Sequence, residues 1–181
     1  NDGQGKFSLH ALPSEAQFSM LNGMVLEDFN GDGNLDLLLN GNDFGTEVPF
    51  GRYDALNGLV LLGSGDGNFK PLSIAESGIY IPGNGKGVSM LRNEAGALMV
   101  AATENRGPLR IFEASTKMRS FVAEPEDVSV VIFMKNGKSQ RREFNYGNSF
   151  LSQSSRVIAI PETAERMEVR KFSGKTRTIR Y

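Results

Sequence analysis

The stretch Asp28-Phe-Asn-Gly-Asp-Gly-Asn-Leu-Asp36 decides the fold. Carboxylate and amide side chains occupy its positions 1, 3, 5 and 9, and a backbone carbonyl is available at position 7. A hard cation such as Ca²⁺ takes oxygen ligands with this kind of spacing. Gly33 follows the third ligand, where the loop turns sharply and a Cβ would be unfavourable. The spacing predicts five cation ligands: Asp28, Asn30, Asp32, the carbonyl of Asn34, and Asp36.

The residues around this loop predict strands. Leu37–Leu39 is a short apolar run of the kind that forms a buried strand. An EF-hand would need a bidentate glutamate at position 12, which is Leu39 here, and a flanking helix. The loop is therefore a calcium-type loop of another kind. The alternative is a hairpin turn rich in Asn, Asp and Gly, which explains Asp32-Gly33 but not the other spaced ligands.

Composition excludes several classes of site. The chain has 181 residues, of which 39% are hydrophobic, enough to form a core. It has no cysteine, which excludes disulfides, thiol catalysis and Cys-ligated metals. Its single histidine, His10, argues against a His-rich metal site and a Ser/His/Asp triad. No apolar run reaches membrane-spanning length. The opening Asn-Asp-Gly without Met predicts a piece of a longer protein.

Charge is unevenly distributed along the chain. Residues 1–134 carry nine basic and seventeen acidic side chains, and residues 135–181 carry eleven basic and four acidic ones. This asymmetry predicts two structural units. The basic C-terminal part could bind a polyanion. Alternatively, its Arg and Lys residues lie on the solvent-facing side of short strands, because they alternate with apolar residues.

A pattern of strands recurs in the first two thirds of the chain. Gly-rich turns precede Phe7 and Phe69, and strands are expected to follow both. A repeat of this length indicates a propeller or an array, in which four antiparallel strands form one blade. A second, degenerate copy carries Arg92–Gly96 in place of the acidic loop. Its three predicted strands are Gly87–Leu91, Leu98–Ala102 and Leu109–Phe112.

The last third of the chain predicts a separate β unit. Residues 113–127 read as a polar connection, with Pro125 at its boundary. Asn136-Gly137 is a strong hairpin signal between two β runs, and Glu162–Glu165 is predicted as one helical turn. We therefore expect an all-β protein, with a partial β-propeller of about two blades in 1–124 and a small antiparallel unit in 125–181. The predicted strands of that unit are Val128–Met134, Gln140–Tyr146, Arg156–Ile160, Arg166–Phe172 and Thr176–Tyr181.

Both units resemble known modules. The acidic loop, its leucine strand and the later Gly-Asp-Gly-Asn-Phe turn resemble the FG-GAP/VCBS repeats of integrin-like β-propellers. Asn136-Gly-Lys138, Tyr146–Ser155 and Met167–Lys175 resemble the ASPIC/UnbV module, which ends such propellers in bacterial surface proteins and in animal cartilage acidic protein. The resemblance implies Ca²⁺ at the five loop positions. It also implies an extracytoplasmic protein, secreted, periplasmic or on the cell surface, used for adhesion, recognition or scaffolding.

Three functions follow as hypotheses. In the first, the long polar segment 40–57 presents aromatic and Arg residues to an extracellular protein or carbohydrate partner, since such residues anchor recognition surfaces. Their alternative role is packing of the segment on its own sheet. In the second, the chain is part of a propeller-based carbohydrate-active enzyme, although no catalytic spacing is present. In the third, the basic C-terminal unit binds a polyanion; a nucleic-acid partner is not expected. The possible partner-binding residues are Phe44, Phe50, Arg52 and Tyr53, and the possible acids and bases include Asp43, Glu47, Asp54, Glu76 and Lys86.

Overall fold

The computed structural model describes residues 4–114, 118–147 and 152–181. The regular secondary structure of the described residues is almost entirely antiparallel β, which confirms the all-β prediction. In chain order the strands are β1 (Leu21–Glu27), β2 (Asp36–Gly41), β3 (Leu59–Gly63), β4 (Phe69–Pro71), β5 (Gly85–Arg92), β6 (Leu98–Glu104), β7 (Arg110–Glu113), β8 (Arg119–Val122), β9 (Asp127–Met134), β10 (Ser139–Glu143), β11 (Val157–Ile160), β12 (Ala164–Lys171) and β13 (Thr176–Arg180). The helical segments are short: two 3-10 turns, Ser14–Gln17 and Val48–Phe50, and α1 (Ile74–Ser77).

The acidic loop joins the first two strands of a four-stranded sheet. This sheet has the order β1-β2-β3-β4, which is the meander predicted for one blade. Its neighbour contains β5-β6-β7, and the residues of these strands are those predicted as a degenerate copy. Neither sheet closes into a barrel within the described residues. The two sheets contact each other through β1 and β5.

Side-chain alternation along β2 places apolar groups in two cores. Leu38 belongs to a core between the two sheets, together with Val25, Val88 and Val100. Its neighbours Leu37 and Leu39 point to the opposite face, as successive residues of a strand must. There they pack with residues of β3, the first 3-10 turn and the long loop: Ala16, Leu56, Leu59 and Leu61.

The C-terminal residues form a second four-stranded sheet. Its order is β10-β9-β12-β13, and the hairpin between β9 and β10 turns at Asn136-Gly137 as predicted. Gly137 has a φ of +81°, a value that glycine adopts without strain. Inward-facing residues of β9 and β12 form a third core, which includes Ile132, Met167 and Val169.

Strand β8 lies inside the segment that was predicted as a polar connection. It pairs with β11, so that one two-stranded sheet joins residues on both sides of the predicted boundary at 124/125. All four residues of β11 are buried. Val157 and Ala159 pack in the core between the first two sheets, whereas Ile158 and Ile160 pack in the third core.

Two local predictions were wrong, and a third holds only for a short strand. Phe7 is 76% exposed and its segment is not a strand, because the alternating run is too short to bury an apolar face. The strand predicted after the turn at 63–69 forms as β4, but it ends at Pro71, and α1 follows with a capping box made by Ser73 and Glu76. The helical turn predicted at 162–165 is instead a tight turn closed by Ala164 N–H and Pro161 O, and it leads directly into β12.

Two further sequence features lie partly outside the described residues. Residues 1–3 belong to the first Gly-rich turn, and residues 148–151 belong to the motif Tyr146–Ser155. Within the described ranges, no helix is long and apolar enough to cross a membrane.

Candidate metal centre

The first carboxylate of the acidic loop organises the backbone of the loop. Asp28 is 1% exposed. Its Oδ1 accepts a hydrogen bond from Gly31 N–H at 2.7 Å, and its Oδ2 accepts one from Gly33 N–H at 2.9 Å. Both glycines have positive φ, +79° and +88°. The glycine positions in the motif thus let the chain curl around the Asp28 side chain.

The last carboxylate closes the base of the loop. Asp36 is fully buried, and its Oδ2 accepts from Phe29 N–H at 2.9 Å. Its Oδ1 accepts from Gly63 N–H at 2.9 Å, at the end of β3. Asp36 therefore ties the acidic loop to the neighbouring strand.

The outer ligands lie at the exposed tip. Asp32 N–H donates to Asn30 Oδ1 at 3.0 Å, and Asn34 N–H donates to Asp32 Oδ1 at 2.7 Å. Asn30 Nδ2 also donates to Asp32 Oδ2 at 3.0 Å. The structure thus folds all five predicted positions into one compact turn.

The chemistry of the donor set fits a hard cation. The hydrogen bonds described above use one acceptor site on each carboxylate oxygen of Asp28 and Asp36, and a carboxylate has about four such sites. Lone pairs therefore remain for a cation. The other predicted ligands are the Asp32 carboxylate, the Asn30 amide oxygen and the Asn34 carbonyl, which also suit Ca²⁺. In the described part of the chain, no group of three or more His, Cys, Asp or Glu residues is arranged as a metal site. The ligand set therefore stays a prediction.

Electrostatics within the loop favours a counter-charge. Burial raises the pKa of Asp36 to about 6, against the lowering effect of its two amide donors, and the charges of Asp28 and Asp32 raise it further. Burial also raises the pKa of Asp28, with a smaller contribution from Asp32. A cation would relieve both the desolvation and the mutual repulsion.

The raised pKa of Asp36 predicts how stability changes with pH. The pKa of Asp36 in the folded state, about 6, lies above the ordinary value of 3.8. As pH falls, the folded state therefore binds this proton at a higher pH than the unfolded state does. In EDTA, the melting temperature is therefore expected to rise between pH 7 and pH 5. Asp36→Asn should reduce this rise, leaving the contribution of Asp28 and Glu27, whose pKa values are also raised by burial, although it should also lower the overall stability. Melting temperatures that stay constant or fall over this range in the unmodified protein would contradict the assignment.

Two other turns lack the features of the acidic loop. In the predicted turn after β3, Asp66 accepts from Ser64 Oγ and from Asn68, and these hydrogen bonds lower its pKa to about 2. In the degenerate copy, Asn93 Oδ1 accepts from Ala97 N–H at 2.8 Å. Ordinary hydrogen bonds hold both turns.

Charged residues that support the acidic loop were missed in the sequence. Glu27 precedes the first ligand, is 1% exposed, and forms an ion pair with Arg142 of β10 at 2.7 Å. Glu27 lies on the same face of β1 as buried Val25, and this inward-facing acid was the available signal. Its partner lies 115 residues away, and no local pattern identifies it.

The predicted partner-binding residues lie together at the other end of the first sheet. Asp43 and Tyr53 form a β-bridge that closes the long loop, and the Arg52 guanidinium lies 4.9 Å from the Phe44 ring centroid. Phe44 is half-buried beneath Arg52. Phe50 is 70% exposed and Tyr53 is 46% exposed.

A buried asparagine fixes this loop, and sequence reasoning missed it. Asn42 has a φ of +87° and is fully buried. Its side chain accepts from Leu56 N–H at 3.0 Å and donates to Leu56 O and Gly83 O. An Asn between an apolar strand and a polar loop was the only signal available, since Asn tolerates positive φ.

The residues considered for catalysis do not form one site. Asp43, Glu47 and Asp54 belong to the long loop, whereas Glu76 accepts hydrogen bonds from Ser73 and caps α1. Lys86 Nζ lies 3.4 Å from Asn42 O. Much of the basic charge of the C-terminal unit is paired with acids: Arg142 with Glu27, Lys171 with Glu124 and Glu126, and Arg177 with Glu124 and Asp127.

The chain was compared with models of known protein families and with curated protein sequences. No model of a known protein family matches the chain, and no curated protein sequence matches it significantly. The resemblance to FG-GAP/VCBS repeats and to the ASPIC/UnbV module therefore stays a prediction that rests on the motif residues.

Proposed function

We propose that this chain is a calcium-binding recognition or scaffold module of an extracytoplasmic protein. The observation that carries the proposal is the folded acidic loop. It places Asp28 and Asp32 close enough for their charges to raise the pKa of Asp36, and it leaves carboxylate lone pairs for a cation. In this proposal Ca²⁺ is structural: it neutralises the loop and fixes the connection between β1 and β2.

The position of the loop supports a structural role. The acidic loop and the long loop lie at opposite ends of β2, a strand of six residues and thus about 20 Å long. A cation bound between Asp28 and Asp36 would not touch a partner held by Phe50 or Tyr53. Calcium would instead stabilise the sheet that carries the partner-binding loop.

The exposed long loop supports recognition. Phe50, Arg52 and Tyr53 are exposed beside one another on a segment that Asn42 and the Asp43–Tyr53 bridge hold in place. Aromatic and Arg side chains on a pre-ordered loop bind with little loss of conformational entropy. The proposed partner is an extracellular protein or carbohydrate, and the extracytoplasmic location comes from the family resemblance.

A matched pair of variants tests the metal site. Asp32 and Asp66 are both exposed, both precede glycine, and both accept a hydrogen bond from the N–H two residues on. In the unmodified protein, Ca²⁺ at a hundredfold excess over its Kd is expected to add about 2.7 kcal/mol to the free energy of unfolding. Asp32→Ala should lose most of this gain, whereas Asp66→Ala should retain it.

Thermal melts in Ca²⁺ and in EDTA provide the measurement. Because both substitutions remove the same type of turn hydrogen bond, the difference between them isolates the cation. Equal Ca²⁺ responses of Asp32→Ala and Asp66→Ala, or no response in the unmodified protein, would refute the site.

A further inference from the structure

The C-terminal sheet contacts the backbone of the acidic loop directly. Gln140 Nε2 of β10 donates to Gly33 O at 3.3 Å. A Cβ at Gly33 would lie 2.7 Å from Met134 Sδ and 3.8 Å from Thr163 Oγ1. Gly33 is thus a point of close contact between the loop and the second unit, and it immediately follows the predicted ligand Asp32.

A second contact reaches the start of the loop. Arg142 donates to both carboxylate oxygens of Glu27, at 2.7 and 3.2 Å, and to Leu26 O at 2.9 Å. Glu27 Oε1 also accepts from Asp28 N–H at 3.0 Å. A continuous chain of hydrogen bonds therefore runs from β10 through Glu27 to the first ligand.

The oxygen of the Gln140 side chain has no hydrogen-bond partner beside the loop in the described part of the chain. Gln140 is 9% exposed, and its Oε1 has no hydrogen-bond partner among the described residues. Gln140 lines an open cleft of about 520 Å³, together with Asn34 of the loop and Lys138. The Gln140 Oε1 is itself buried, so within the described ranges the amide is held at the loop through its Nε2 donor alone.

We propose that Gln140 and Arg142 are positioning residues for the cation loop, so that cation binding and docking of the C-terminal sheet are coupled. The inference rests on the proposed function. β10 holds the loop at Gly33 and, through Glu27, at Asp28, and thereby reduces the cost of ordering the ligands. Coupling is reciprocal: if the sheet raises cation affinity, the cation tightens the sheet by the same factor.

The test measures Ca²⁺ binding by isothermal titration calorimetry. Gln140→Met keeps the volume of the side chain and removes the amide. Arg142→Lys keeps the charge and removes the two-pronged hydrogen bond to Glu27. Each variant is expected to weaken Ca²⁺ binding about tenfold. Ser139→Ala and Arg141→Lys, on the opposite face of β10, should bind as the unmodified protein does.

A second readout separates positioning from simple stability. A residue with only a structural role lowers the melting temperature equally in Ca²⁺ and in EDTA. A positioning residue instead reduces the Ca²⁺-induced increase. Hydrogen exchange should also show that Ca²⁺ slows exchange of the amides in β9 and β10 of the unmodified protein, and less so in Gln140→Met.

The outcomes separate the two proposals. If the unmodified protein binds Ca²⁺ and both variants keep its Kd within twofold, the coupling is wrong and the metal site stands. If the unmodified protein binds no Ca²⁺, the proposed function fails, and the coupling fails with it. A variant that does not fold is recognised by circular dichroism, and the other variant then decides.

Discussion

Arg142→Met is expected to lower the free energy of unfolding by about 3–5 kcal/mol, the cost of breaking a buried ion pair by removing one partner. Glu27 is 1% exposed, and Arg142 supplies both of its charged hydrogen bonds. Burial already raises the pKa of Glu27, against the lowering effect of Arg142. Without the guanidinium, the carboxylate would be desolvated and uncompensated.

Equilibrium unfolding in urea measures this loss. Arg141 is the matched control, because it is the preceding residue of β10 and pairs with Glu143 at an exposed position. Arg141→Met should change stability by less than about 1 kcal/mol. The double variant Glu27→Leu with Arg142→Met should recover much of the loss, since it leaves no buried charge. A loss below about 1 kcal/mol in Arg142→Met alone would show that the pair does not hold the two units together.

Asn42→Ala is expected to cost about 3 kcal/mol or more. The substitution leaves Leu56 N–H and Leu56 O without their side-chain partner in a buried site, and each such group costs about 1–3 kcal/mol when unpaired. Gly83 O also loses the Asn42 side chain, but it keeps its hydrogen bond from Gly85 N–H. Alanine is also disfavoured at the φ of +87° that Asn42 adopts. Both effects act at the base of the loop that carries Phe50 and Tyr53.

A second variant divides this loss into its two causes. Asn42→Gly removes the same hydrogen bonds but accommodates the positive φ. It should therefore be more stable than Asn42→Ala by about 1 kcal/mol, yet still clearly less stable than the unmodified protein. Asn145→Ala, at an exposed position after β10, serves as a control with little expected effect. Urea unfolding and hydrogen exchange of the long loop check this order. An Asn42→Ala protein of unchanged stability would show that the network is not required.

The fold could be predicted where local signals were strong. The apolar run Leu37–Leu39 and the Asn136-Gly137 turn identified their strands, because burial pattern and turn chemistry are encoded nearby. Strand β8 was missed because Arg119–Val122 is short and has only one strongly apolar pair. It becomes a strand through pairing with β11, about 38 residues further along the chain. Around Phe7 the opposite happened: the local pattern predicted a strand, but among the described residues no neighbouring strand pairs with it, and no sheet forms.

The candidate site, too, contains residues that local sequence predicted and residues that it did not. Ligand spacing within nine residues predicted the turn that the structure shows around Asp28 and Asp36. The residues that hold this turn from outside could not be predicted, since Gln140 lies 107 residues from Gly33. Side-chain contacts across such distances depend on how whole sheets pack, and a single sequence does not reveal that packing.

The position of strand β11 has a consequence for how the protein unfolds. Its alternate residues fill two different cores, Val157 and Ala159 one, Ile158 and Ile160 the other. Removing this strand would take two buried residues from each core at once. We therefore expect that neither core can unfold while the other stays intact. The protein should therefore unfold in a single cooperative step. A fragment that ends near residue 124 should expose an apolar surface and tend to aggregate rather than persist as a domain.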